Sequence, residues 1–263
     1  MKSILYSELT WEEVKEAAKE DRVILLPMGS IEEHGPHLPL ETDSLIAYEI
    51  SKRAALKVPD IALVMPPVYY TYSETTMDFP GTIDVEPNHM IDYLFDICKS
   101  ITKHGFRRII LVGGHGLNAP FLFIVAQRVT NNTPAICCGL SYWEFAREKV
   151  SKIVSHGAHA CEFETSLMLA LKKEVVYMNK AVKDMDIYMN IPNSKFVWRN
   201  IINRSPIFFL DRFSTFSKTG ICGDPTLATE EKGKKIIEVI TDEFAEFIKE
   251  FKSRPLVKWV DHH

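Results

Sequence analysis

Four short apolar runs in the first half of the chain restrict its fold most. They are residues 22–28, 61–68 (IALVMPPV), 107–114 (RRIILVGG) and 134–140 (PAICCGL). Each is nearly continuous rather than alternating, the pattern of a strand covered on both faces. Helical spacing fills the gaps. WEEVKEAAKE at 11–20 precedes the first run, and Leu45, Ile46, Ile50 and Ala54 mark a helix over 44–56 that Thr42 or Asp43 can cap. Further helices are expected at 88–104 and 119–130. Strand alternating with helix builds parallel βαβ units. The expected class is α/β, a three-layer α/β/α domain with a mostly parallel central sheet.

The second half is less regular. EFETSLMLALKK at 162–173 reads as a helix, and residues 175–225 hold aromatics and prolines with room for a hairpin and surface loops. A long helix runs from about Glu230 to Lys252. Its apolar stripe is Ile236, Ile240, Phe244, Phe247 and Phe251. Thr229 can cap it, and Glu230 and Glu231 suit the positive end of its dipole. Without a repeat, a low-complexity tract or a linker, the 263 residues read as one domain, 1–263.

Composition removes several classes of partner. A net charge of −4 leaves no electrostatic footprint for nucleic acid or an anionic membrane. No apolar run approaches the roughly 20 residues that span a bilayer. The N-terminus turns acidic too early for a secretory signal. Five cysteines form no CxxC pair, and Cys137 and Cys138 sit inside an apolar run. Reduced, buried thiols and a cytoplasmic setting follow as expectations.

Chemistry concentrates where strands end. Residues 24–43, ILLPMGSIEEHGPHLPLETD, run from an apolar strand into a loop carrying Glu32, Glu33, His34, His37 and Asp43. In extended chain, side chains two apart point the same way, so Glu32 and His34 can face one point while Glu33 faces away. His115 follows the third strand and two glycines. In a parallel sheet it shares an edge with the first loop, because the carboxyl ends of the strands lie together. HGAHACEFETS at 156–166 adds His156, His159, Glu162 and Glu164 at the start of a helix, where first-turn carboxylates also suit the dipole. Imidazoles and carboxylates converging on one edge make a plausible divalent-metal site, with zinc, manganese or iron all compatible with nitrogen and oxygen ligands. The alternative is a solvated loop in a non-catalytic α/β small-molecule-binding protein, against which counts the lack of any Gly-rich phosphate loop.

Five segments carry a family resemblance: GSIEEHGPHLPLETD, FPGTI at 79–83, GGHG at 113–116, HACEFETS at 159–166 and TGICGDPTLATEEKG at 219–233. In that order the chain resembles the creatininase (creatinine amidohydrolase) family. The resemblance implies an α/β/α hydrolase with two divalent metal ions, assembled as a homo-oligomer, commonly a hexamer, and acting on a small-molecule substrate. Carried over by position, Glu32 and His115 bind one metal, His34 the other, and Asp43 bridges both. His159 becomes the proton-transferring residue, and Ser73 a substrate contact. Two departures stand out. Leu117 occupies the place of a further carboxylate ligand, with Glu164 as substitute and Glu162 in reserve. Thr75 and Thr76 replace a Glu-His pair, which argues against assuming creatinine as the substrate.

The implied reaction is attack on a carbonyl by water held between two ions. An amidohydrolase opening a cyclic amide or cleaving a formamide fits best. Hydrolysis of a cyclic diketone from inositol breakdown, or peptide cleavage in cofactor maturation, uses the same ligands. Tyr70, Tyr72, Tyr142 and Trp143 are either pocket walls or core.

Overall fold

The computed structural model describes residues 3–184, 194–198, 200, 202, 205–207, 211–257, 260 and 262. The main elements are α1 (Trp11–Lys19), β1 (Val23–Met28), α2 (Thr42–Leu56), β2 (Ala62–Val64), α3 (Pro87–Lys103), β3 (Arg108–Gly113), α4 (Ala119–Asn132), β4 (Ile136–Ser141), α5 (Arg147–Val150), α6 (Glu162–Leu171) and α7 (Glu230–Ser253). The strands order as β2-β1-β3-β4, all parallel. Successive strand residues serve opposite cores. Val23, Leu25, Ile110 and Val112 pack with α2, α6 and α7, whereas Ile24, Leu26, Ile109 and Leu111 pack with α1, α3 and α4. This is the three-layer α/β fold expected from the continuous apolar runs.

The second run differs most from expectation. Pro66 and Pro67 cannot donate to a ladder, so β2 stops at Val64 and resumes only as a bridge from Val68 to Met28. That early stop makes room for Pro27 inside β1. The Pro27 carbonyl accepts from Val68 N (3.0 Å), so its missing N–H faces the side where β2 has already ended. Within 175–225, where a hairpin was expected to have room, residues 185–193, 199, 201, 203–204 and 208–210 lie outside the described residues. In the described part of that stretch, Asp184 and Gly223 form an antiparallel bridge. Tyr142 and Trp143 lie in the core, packed edge to face against each other.

Two glycines at the strand ends position the functional loop. Gly29 follows β1 and Gly114 follows β3, and the first turn of α2 rests on both. A Cβ at Gly29 would lie 2.2 Å from Ser44 N, and one at Gly114 2.4 Å from Asp43 O. Backbone cannot yield at such distances, so only glycine lets α2 descend far enough to bring Asp43 to the sheet edge. Asp43 consequently sits inside the first helical turn rather than capping it. The preceding residue-cap position, Glu41, makes no side-chain cap bond. Gly114→Ala is expected to destabilise the fold by roughly 3 kcal/mol, the upper end for forced overpacking. Urea unfolding would measure the loss, and metal content would report the displaced Asp43.

Candidate metal centre

The loop after β1 doubles back beneath the strand ends. Glu32 N donates to the Leu40 carbonyl (3.1 Å), closing the loop so that Glu32, His34 and Asp43 meet. His115 comes from the end of β3, and Glu164 from the first turn of α6. All are buried, with Glu32 and His34 fully so. His34 and His115 therefore lie on one side of the molecule, each beside the same carboxylate.

Asp43 is the centre of the arrangement. Its Oδ1 lies 3.1 Å from His34 Nε2, and its Oδ2 lies 2.9 Å from His115 Nδ1. Glu32 Oε1 is 2.9 Å from His115 Nδ1, and Glu164 Oε2 is 4.0 Å from His34 Nε2. Three overlapping groups can hold a metal ion: Glu32, Asp43 and His115; His34, Asp43 and Glu164; and Glu32, His34 and His159. Donors at about 2.1 Å from one ion and at right angles to each other stand about 3.0 Å apart. The three separations around Asp43 and His115 match that spacing, and Glu164 stands further out at 4.0 Å. Glu32 Oε1, Asp43 Oδ2 and His115 Nε2 are buried without a hydrogen-bond partner, although Nδ1 of His115 is close to both oxygens. Orphaned carboxylate oxygens in the interior are costly unless a cation meets them. His34 Nδ1–H donates to the Glu32 carbonyl (3.2 Å), so Nε2, facing Asp43, is the nitrogen that a metal would take once the ring is neutral. The donor set fits a divalent metal.

The charges couple strongly. Burial works against a charged His34, but Asp43, Glu164 and Glu32 hold it well above the usual imidazole range. The same contest pushes His115 up to about 10, with Glu32 and Asp43 as the carboxylates responsible. Burial alone would raise Asp43, yet His34 and His115 hold its carboxyl far below the ordinary value. Burial raises Glu164 against the pull of His34 and His159. His37, buried and close to His34 and His159, is lowered to about 4, and its Nε2 pairs with Thr165 Oγ1 at 2.9 Å.

His159 closes the cluster. Its Nδ1 lies 3.7 Å from Glu32 Oε1, its ring sits 4.3 Å from that of His34, and its side chain is 15% exposed. Phe213 meets its other side edge-on at 4.7 Å. Phe213 is held by the pairing of Asp78 with Arg212 (2.8 Å) and Ser214. Glu162 belongs to none of the three groups. It accepts from Ser155 N, Ser155 Oγ and Lys232 Nζ, tying the 155–162 turn to α7. Ser73 is fully buried, its hydroxyl against Ser30 and its N–H on Asp84 Oδ1 (2.6 Å).

Thr76 is a participant that sequence reasoning passed over. Its hydroxyl donates to Glu32 Oε2 (2.9 Å), the oxygen turned away from His115, and it is 2% exposed. Partners of this kind orient metal ligands, and losing one costs roughly 10–100-fold in metal affinity. Thr76→Val keeps the shape and removes the donor. It is expected to weaken metal binding within that range, read by chelator competition.

Comparison with known proteins places the chain in a family. The creatininase family, described as creatinine amidohydrolase, matches residues 7–248. Creatinine amidohydrolase of Pseudomonas putida is 29% identical over 269 residues, covering 95% of this chain and 97% of that one. A 3-dehydro-scyllo-inosose hydrolase of Thermotoga maritima is 26% identical, covering 95% and 84%. A mycofactocin precursor peptide peptidase of Mycolicibacterium smegmatis is 26% identical, covering 88% and 85%. Among solved structures, a glutamate-to-glutamine creatininase variant of Zn-Zn type superposes with a TM-score of 0.80 at 28% identity, covering 97% and 100%. A manganese form of creatininase gives 0.79 at 28% identity, covering 96% and 100%. Matched nearly from end to end in sequence and in fold, the chain belongs to the creatininase family of hydrolases.

Proposed function

We propose that the protein is a metal-dependent amidohydrolase opening a cyclic amide or cleaving a formamide of a small polar compound. The observation that carries this reading is the placement of Asp43, whose two oxygens face two separate donor groups. One ion would take Glu32 and His115, the other His34 and Glu164, with Asp43 shared. Glu164 stands in for the ligand that Leu117 cannot supply, and Glu162, already engaged by Ser155 and Lys232, is not needed. Zinc, manganese and iron all suit this nitrogen and oxygen set.

When bound, the two ions activate water and polarise the scissile carbonyl. The chain's own residues do the rest. His159, at the solvent side of the cluster, moves the proton from the attacking water to the leaving nitrogen. Glu32 is fixed by Thr76, so the reacting atoms meet a rigid frame. Phe213 packs on His159 and on Phe79, and this aromatic crowding beside the proton carrier supports a small substrate. A substrate contact through Ser73 requires its hydroxyl to exchange Ser30 for a substrate group. The same reading includes a single domain over 1–263, assembly as a homo-oligomer, a hexamer by the resemblance, and a cytoplasmic setting. No helix among the described residues is long and apolar enough to cross a membrane.

Metal analysis of the purified protein, followed by a screen of cyclic amides, formamides and cyclic diketones on the metal-loaded form, tests this proposal. About two ions per chain and turnover of an amide are expected. Absence of bound metal after loading would overturn the reading. Turnover confined to diketones would move the substrate class while leaving the centre intact.

A further inference from the structure

Glu33 stands between Glu32 and His34 in the chain but belongs to none of the three metal-holding groups. Its carboxylate goes elsewhere. Oε1 lies 3.2 Å from His159 Nε2, and the Glu33 backbone carbonyl lies 2.8 Å from the same nitrogen. A carbonyl oxygen can only accept, so Nε2 carries the hydrogen. In the neutral ring Nδ1 is then bare, and that is the nitrogen turned toward Glu32 Oε1.

Glu33 is itself held from three sides. Its Oε2 accepts from Gly35 N (2.9 Å), and its own N–H donates to Thr82 Oγ1 (3.1 Å). Gly220, at φ +77°, closes over the carboxylate where any Cβ would overlap Oε2. At 6% exposure the side chain has no room to swing away. A carboxylate needed only for the Gly35 turn would use one oxygen; here the second oxygen meets the imidazole.

We infer that Glu33 is the positioning residue of His159, fixing its Nε2–H tautomer so that Nδ1 is offered to the reacting centre. This rests on the reading of His159 as the proton carrier. Glu33→Gln separates the role from simple packing. The Gly35 N–H holds the amide oxygen at the Oε2 place, so the amide NH2 faces His159 Nε2–H, donor against donor. The side chain then opposes the tautomer that the Glu33 backbone carbonyl alone still holds, although the shape is kept.

The test has two readouts on the zinc-loaded protein. Long-range proton–nitrogen spectra of 15N-histidine protein should show His159 protonated at Nε2 and bare at Nδ1 in the wild type. Finding the hydrogen on Nδ1 would overturn the inference, and this measurement needs no variant. In Glu33→Gln, bound zinc and KM for the compound found in the screen should hold while kcat falls roughly 10–100-fold, the usual cost of removing an orienting partner. Unchanged kcat, or zinc lost in parallel with activity, would make Glu33 a support of the loop alone. Failure of the functional reading is seen separately, as a wild type that binds no zinc or a His159→Ala variant with full turnover.

Discussion

Asp43→Asn is expected to empty the metal centre and lower turnover about a thousandfold or more, well beyond the roughly 10–100-fold cost of losing an orienting partner. Each carboxylate oxygen of Asp43 faces a different donor group, at 3.1 Å from His34 and 2.9 Å from His115. Asparagine supplies one neutral oxygen and turns two amide hydrogens toward the other imidazole. One ion loses its ligand outright, and both lose the negative charge that holds them. Glu162→Gln is the matched control, a buried first-turn carboxylate of α6 whose partners are Ser155 and Lys232. It should keep its metal and show only a stability loss. Elemental analysis distinguishes the two variants, and thermal unfolding with and without chelator checks the result independently. Chelation should lower the Tm of the wild type and of Glu162→Gln but leave Asp43→Asn unmoved. Full metal content in Asp43→Asn would reject the centre.

The sheet was legible because burial on both faces leaves a direct trace in composition: a strand with no wet side keeps polar residues, such as Arg108, to its ends. Val23 to Met28 and Arg108 to Gly113 are buried throughout. Loop closure leaves no such trace. That Glu32 and His34 share a face follows from the two-residue period of extended chain, and their meeting with Asp43 and His115 was expected from strand ends lying on one edge. Glu33 was read only as turned away, which it is from the metal groups. Its partner His159 lies 126 residues further on, and no local period links the two. Thr76 attracted notice only as a departure from the family pattern. Its hydroxyl matters because the 74–76 turn folds onto Glu32, a tertiary event without periodicity. Phe213 comes from the irregular 175–225 stretch, where an aromatic residue carries no sign of which neighbour it covers. Asp43 was expected as a possible cap and sits within the first turn of α2 instead, brought to the sheet edge because Gly29 and Gly114 admit the helix closely, a contact visible only in three dimensions.

Metal affinity should rise steeply with pH, and well above the range in which ordinary histidines titrate. Without metal, burial favours neutral imidazoles, but Asp43, Glu32 and Glu164 prevail and keep His34 well above, and His115 at about 10 against an unperturbed 6.5. Near neutral pH both rings hold a proton that a metal must displace. Each displaced proton changes affinity about tenfold per pH unit, so loading of the pair should strengthen by about two decades per unit above pH 7. The slope should flatten near pH 10, where His115 no longer holds its proton. Unperturbed histidines would give a flat curve above about pH 7.5. Stability of the metal-free protein has the opposite sign. A raised folded-state pKa contributes stability that is full below the unfolded value of 6.5 and fades as pH climbs through about 10. The gap in Tm between loaded and chelated protein should therefore widen from pH 6 to pH 9. Zinc competition against a chromogenic chelator gives the slope, and a pH indicator in weak buffer counts the protons released. An affinity independent of pH above 7 would mean that His34 and His115 are not the groups the metal displaces protons from, and with them the paired centre at Asp43 would fall.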